Sequence, residues 1–223
     1  MAGAPKRSLG LGLRAVGQPC RTRFWRCWPA IRVSTTCCHG TWNRKQNYAS
    51  IPFQEPRNTD LLVIANDALG PFLLAIEAKA DETYGHTLAD VLAAALERRI
   101  QNPRSNGIAR IEGLATLLLK PRSGGQPKAR DLRYQLFTAC AGALAEAHRR
   151  QSARAIMLVH EFITSATSDE KHARNASDLR MFLSRLTGHA DRPVQDVELQ
   201  GPFEFARYAG VELFVGKVTR NFR

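Results

Sequence analysis

The stretch Asp60–Lys79, DLLVIANDALGPFLLAIEAK, holds two short apolar runs separated by turn chemistry. Residues 60–65 (DLLVIA) contain Val63 and Ile64 and have the length and composition of a buried strand. Residues 66–70 (NDALG) tolerate positive φ and read as a loop. Residues 71–79 (PFLLAIEAK) are a second apolar run, so the stretch is expected to form a β-hairpin. In an antiparallel hairpin the start of one strand faces the end of the other. If Ala65 pairs with Phe72, Asp60 falls opposite Glu77. Lys79, two residues further, shares that face. A slip of one residue would turn Asp60 to the other face. The expectation is therefore an Asp, a Glu and a Lys gathered at one end of a buried hairpin.

Converging carboxylates repel unless something neutralises them. Mg²⁺ does so readily, because it takes oxygen ligands from one or two carboxylates together with phosphates. A neighbouring Lys can orient a water or stabilise charge that develops on a phosphoryl group. Two carboxylates, a divalent cation and a Lys suit hydrolysis of a phosphodiester. A surface salt-bridge cluster at a sheet edge uses the same three residue types.

The rest of the chain supplies strands and helices in an order that fits a mixed sheet. A first strand is expected over 46–53 and a turn over Glu55–Asn58. Thr87–Gln101 reads as a helix with Thr87 as N-cap and Asp90 at the capping-box position. Further helices are expected over Ile108–Leu119, Ala129–Arg150 and Asp169–Thr187, the last stopping at Gly188. Strands are expected over Arg154–Glu161 and Val211–Val218. Consecutive strands first, then strands alternating with helices, indicate an α/β protein with a mixed central β-sheet flanked by helices.

Asp60-x16-Glu77-Ala78-Lys79 resembles the D…(D/E)-x-K signature of the PD-(D/E)XK nuclease superfamily. TDLLVIA (59–65), IEAKADETYG (76–85), LRYQL (132–136) and IMLVHEF (156–162) together are similar to an uncharacterised bacterial family of that kind. The resemblance covers roughly residues 45–220. It implies a restriction-endonuclease-like fold with an αβββαβ core. It also implies Asp60 and Glu77 as ligands of Mg²⁺ or Mn²⁺, and Lys79 as the group that positions water or stabilises the transition state. Gln135, beside Tyr134, matches a helix position at which some members carry an assisting Gln. Asp81 and Glu82 could form an outer shell or coordinate a second metal. Two departures stand out: the chain has no acid before Glu55, and Thr59 rather than Pro precedes Asp60.

Charge points the same way in one region only. The chain has 223 residues and a formal net charge of +12, but residues 1–50 hold nine of the 32 basic residues and no acid. That segment also carries all three Trp and four of the five Cys (Cys20, Cys27, Cys37, Cys38), in a spacing that fits no familiar zinc pattern. It reads as a disordered basic arm, an organelle transit peptide or a mis-started translation, and the domain is expected to span 45–223, after a segment 1–44. Beyond it, residues 98–133 hold nine basic residues against Glu112 and Asp131. Arg98, Arg99, Arg104, Arg130 and Arg133 are the candidate nucleic-acid contacts, a basic rim next to an acidic site. Solvated helix faces have the same composition.

Other chemistries lack their signatures. There is no G-x-S-x-G elbow and no P-loop, the six His show no metal-ligand spacing, and no apolar stretch approaches the ~20 residues of a membrane span. His160 and Glu161, at the end of an expected strand, could join a site. The expected protein is a cytoplasmic Mg²⁺/Mn²⁺-dependent nuclease whose partner is nucleic acid, DNA foremost, with no membrane partner and homo-oligomer formation open. The alternative is a catalytically inactive nucleic-acid-binding or interaction module on the same fold.

Overall fold

The computed structural model describes residues 41–49, 56–188, 196 and 198–222, with side chains from residue 59 onward. The readings of residues 1–40, of 50–55 and of the cysteines before Cys140 lie outside these. Ten elements follow in order: β1 (Thr41–Ala49), β2 (Pro56–Asp67), β3 (Gly70–Lys79), α1 (Leu88–Gln101), α2 (Gly107–Leu118), α3 (Tyr134–Arg149), β4 (Arg154–Ile163), α4 (Asp169–Thr187), β5 (Leu199–Glu204) and β6 (Glu212–Asn221). Single 3₁₀ turns lie at Ala129–Asp131 and Ala206–Tyr208. The six strands form one sheet in the order β1-β2-β3-β4-β6-β5. The β1–β2, β2–β3 and β5–β6 pairs are antiparallel, and β3–β4 and β4–β6 are parallel. The α/β fold with a mixed sheet is thus as the sequence suggested.

The hairpin has the expected register. Ala65 pairs with Phe72 and Leu61 with Ile76, and the turn is only Ala68-Leu69 because Asp67 pairs with Gly70. Gly70 adopts φ +101°, a left-handed conformation that favours glycine. β3 is buried without interruption from Phe72 to Glu77. Its two faces feed different clusters. Leu73 and Ala75 join Leu62, Met157, Val215 and the helices, whereas Phe72, Leu74 and Ile76 join Val63, Ala65, Ile156 and Leu158. Continuous apolarity in the sequence therefore reflects a strand covered on both sides. α3, with Phe137, Cys140, Ala141 and Leu144 fully buried, lies across the strands on the first of these faces.

Several boundaries differ from expectation. β1 begins at Thr41, so the 44/45 boundary falls inside a strand. Pro56, Arg57 and Asn58 are strand, not turn: they extend β2 backwards to pair with Ala49, Tyr48 and Asn47. Proline is tolerated there because it is the first residue of the strand. The helix expected from Ala129 is broken at Leu132-Arg133. Arg133 bridges Thr87, and the Leu88 and Tyr134 N–H groups donate to the Leu132 and His86 carbonyls. These bonds take the helix's place, and α3 starts at Tyr134. β5 was not expected at all. It is short, has no fully buried residue and lies at the sheet edge.

Candidate active site

Asp60 and Glu77 meet because of where the β2–β3 ladder stops. Regular pairing ends at Leu61–Ile76, and the next position in the same register sets Asp60 opposite Glu77. There the Asp60 side chain takes over as acceptor: the Ala78 N–H donates to its Oδ2 at 2.9 Å. A backbone donor that the ladder leaves over is thus satisfied by the carboxylate. Asp60 is exposed, whereas Glu77 and Lys79 are 6% and 3% exposed.

Buried charges need partners, and those of Glu77 come from two elements. The Gln135 amide, in the first turn of α3, donates to Glu77 Oε1. Lys79 Nζ lies 3.7 Å from the same oxygen and 3.4 Å from Glu82 Oε1. The positive end of the α3 dipole adds to the field at Glu77. All four residues anticipated for the site, Asp60, Glu77, Lys79 and Gln135, therefore come together at the open end of one hairpin, and Glu82 joins them through Lys79.

Asp81 does not. Its carboxylate is exposed and accepts from Lys171 Nζ at 2.8 Å and from the Ser168 N–H at 2.9 Å. The Lys171 ammonium holds this carboxyl below its usual range. Asp81 ties the segment after β3 to the start of α4, which accounts for its charge without a metal. His160 is on the face opposite Glu77, against Phe162 with ring centroids 4.1 Å apart, and burial lowers its pKa.

Glu161 does belong to the site's face. In the parallel β3–β4 register it is level with Lys79, and Lys217 of β6 is level with Val159 and hence with Glu77. Glu161 is 1% exposed, and its Oε2 lies 2.7 Å from Lys217 Nζ and 2.9 Å from His172 Nδ1. The Lys217 contact is an ion pair, and neither contact is an aligned hydrogen bond. Tyr84, fully buried, places its ring 5.6 Å from Lys79 Nζ. Burial, followed by the nearby Glu161, Glu77 and Asp178 carboxylates, pushes its phenol well above the ordinary range. Lys217 was legible in the sequence: Leu213, Val215 and Lys217 alternate onto one face, so a Lys is aimed into a core. Tyr84 and His172 carry no such pattern.

The anticipated arginines separate by role. Arg98 and Arg104 line a cavity between α1 and α2. Arg99 donates to the Ser105 carbonyl at 2.9 Å, closing the α1–α2 corner. Arg130 is exposed beside Asp131. Arg133 is buried, donating to Asp178 Oδ2 and to the Gly85 carbonyl at 2.8 Å each. It holds α4 and the segment after β3 against the start of α3, so its guanidinium is committed to the scaffold and not to a ligand.

Among the described residues no group of three or more His, Cys, Asp or Glu is placed to hold a metal ion on its own. The Asp60–Glu77 pair is a hard-oxygen donor set of the smaller kind that suits Mg²⁺ or Mn²⁺ shared with a substrate phosphate and water. It fits that role, and not a closed structural site. No helix among the described residues is long and apolar enough to cross a membrane. In comparisons with known proteins, the model of a domain of unknown function, DUF6946, matches residues 49–222. No curated protein and no solved structure matches.

Proposed function

The chain belongs to the DUF6946 family, and we propose that it is a Mg²⁺- or Mn²⁺-dependent nuclease that hydrolyses phosphodiester bonds of nucleic acid. The observation that carries this reading is the meeting of Asp60, Glu77, Lys79 and Gln135 at the end of the β2–β3 hairpin. The succession β1, β2, β3, then α1, α2 and α3, then β4 supports a restriction-endonuclease-like core, in which three consecutive strands, a helix and a parallel strand frame such a site, with α1 and α2 as additions before that helix.

Asp60 and Glu77 would hold the cation, which when bound supplies neutralisation of the phosphate and a more acidic water. The rest falls to side chains of this chain. Gln135 fixes the Glu77 carboxylate through its amide, so that one oxygen keeps its direction while charge moves nearby. Lys79 is pre-placed by Glu77, Glu82 and the Tyr84 ring. Its ammonium faces negative charge that grows on the non-bridging phosphoryl oxygens as water adds to phosphorus and the bond to the leaving sugar oxygen breaks.

The test is cleavage of a panel of duplex DNA, single-stranded DNA and RNA by the full chain with Mg²⁺ or Mn²⁺, beside Glu77→Gln and Asp60→Asn. The expected result is metal-dependent cleavage that falls at least ~100-fold in both variants, in line with losses on removing a catalytic electrostatic group. Asp60 is exposed, so its variant remains informative if Glu77→Gln disturbs folding. Folded wild-type protein that binds nucleic acid without cutting it would favour the binding-module reading. That reading draws its own support from the described residues, among which no group of three or more His, Cys, Asp or Glu is placed to hold a metal ion.

A further inference from the structure

Lys79 stands between two buried carboxylates, and only one of them holds it. Glu77, two residues earlier on β3, lies 3.7 Å from its Nζ. Glu161, on β4, is level with Lys79 in the parallel register. Neighbouring strands are only ~4.8 Å apart, and level residues share a face, so the Glu161 side chain rises beside that of Lys79. Both residues are buried, which leaves little water to screen their attraction. Yet the ion pairs of Lys79 are with Glu77 and Glu82. We infer that Lys217 is a positioning residue of the hairpin site: by neutralising Glu161 it leaves the Lys79 ammonium to Glu77 and to the substrate phosphate. The inference rests on the nuclease reading for the role of Lys79, and on residues of β4 and β6 for its geometry.

Lys217 is built into the sheet for this. It is buried on β6, level with Val159 of β4, and its Nζ is 2.7 Å from Glu161 Oε2. His172 Nδ1 lies 2.9 Å from the same oxygen, but an imidazole carries charge only when protonated, so the steady cation of Glu161 is Lys217. Tyr84 shows that the two carboxylates share one neighbourhood. Its ring is 5.6 Å from Lys79 Nζ, and its phenol is pushed up by burial first, then by Glu161, then by Glu77. The four charges thus balance in two pairs, Glu77 with Lys79 and Glu161 with Lys217.

Removing Lys217 breaks this balance. A buried carboxylate stripped of its partner is costly, and the ammonium beside Glu161 in the ladder is that of Lys79. Lys79 would then be drawn towards β4 and away from the hairpin end. The pull is strongest when a cation shares the charge of Glu77, because the competing attraction on β3 is then weakest. Removing the Glu161 charge as well abolishes the pull, so the second substitution corrects the first.

The experiment reads the place of Lys79 and the rate of cleavage separately. Metal-free crystal structures of the full chain are compared for wild type, Lys217→Met and Lys217→Met/Glu161→Gln. In Lys217→Met the Lys79 ammonium is expected to leave Glu77 and pair with Glu161, and in the double variant to return to Glu77. Cleavage of the nucleic-acid panel with Mn²⁺ is expected to fall at least ~10-fold in Lys217→Met, part of the ~100-fold or more that a whole electrostatic group supplies. It should recover to within ~3-fold of wild type in the double variant, the non-additivity of coupled neighbours. Adding Lys217→Met to Lys79→Met should cost nothing further, whereas a merely structural Lys217 would lower both backgrounds alike. If Lys217→Met does not fold, Lys217→Gln, which leaves Glu161 an amide to accept from, is read in the same way. Lys79 still paired with Glu77 in the folded Lys217 variant overturns the inference, as does cleavage that the Glu161 substitution fails to restore. If wild type cleaves but Lys79 stays in place, the inference fails and the nuclease reading stands. If Lys79 moves and returns as expected but wild type cleaves no probe, the placing of Lys79 by Lys217 stands and the nuclease reading fails.

Discussion

Asp67 holds the closed end of the hairpin as Asp60 marks the open one. Its carboxylate accepts from both terminal nitrogens of the Arg154 guanidinium, Nη1 at 2.9 Å, and Arg154 also donates to the Gly70 carbonyl at 2.9 Å. The Arg154 hydrogen bond outweighs burial and holds the Asp67 carboxyl below its ordinary value of 3.8. A carboxyl with a depressed folded pKa stabilises the fold above its unfolded pKa, and that stability is lost as pH falls through the folded value. Asp67→Asn is therefore expected to cost about 2 kcal/mol at pH 7, in the range of hydrogen bonds to charged groups. The gap to wild type should close as thermal unfolding is followed from pH 5 down to pH 2. A pH-independent gap would mean that shape, not charge, is what Asp67 contributes. The open end was legible because each of its charged residues interrupts an apolar strand. Asp67 was not: a polar residue in an Asn-Asp-Ala-Leu-Gly stretch looks like turn chemistry, and its partner Arg154 is 87 residues away.

Among the elements, α1 and β5 show opposite degrees of legibility. The start of α1 is written locally. Thr87 accepts from the Asp90 N–H, and the Asp90 carboxylate accepts from the Thr87 N–H at 2.9 Å, a complete capping box. Thr87→Ala is expected to lower stability by about 1 kcal/mol in denaturant unfolding, without moving the hairpin. α4 is local in the same way, with Ser168 at its start and Gly188 in the left-handed conformation at its end. The start of α3 is not local. It depends on Arg133 being drawn off to Asp178, a contact 45 residues away, so helical periodicity alone extends it too far. β5 depends on space left by its neighbour. A Cβ on Gly216 of β6 would stand 2.7 Å from the Glu198 carbonyl oxygen. Gly216→Ala must push β5 away, and a cost of roughly 1–3 kcal/mol is expected from such overpacking. Hydrogen exchange should locate the loss of protection in Leu199–Glu204. Uniform loss across the sheet would show that β5 is not a separable edge.

Across the molecule, the parallel arrangement of β3, β4 and β6 aligns their C-terminal halves, and the buried charges of these strands lie there: Glu77 and Lys79, then Glu161, then Lys217. Open α/β sheets place ligands at the carboxyl ends of their strands, and α3 covers this end with its N-terminal turn. The sequence carried the three residues of one hairpin, because a two-residue period and a short turn suffice to place them. It did not carry the β4 and β6 contributions as a set, since parallel register across two helical crossovers leaves no local trace. Nor did it separate Arg98 and Arg104, which face a cavity, from Arg133, which faces the core. In the proposed function Asp60 and Glu77 form one cation centre, with Lys79 beside it and not within it. The decisive measurement is Mn²⁺ binding to the full chain, followed by electron paramagnetic resonance with an uncleavable phosphorothioate duplex present. The expected result is one site of bound Mn²⁺ that disappears in Asp60→Asn and in Glu77→Gln and persists in Lys79→Met. Mn²⁺ binding unchanged by the two carboxylate variants would contradict it.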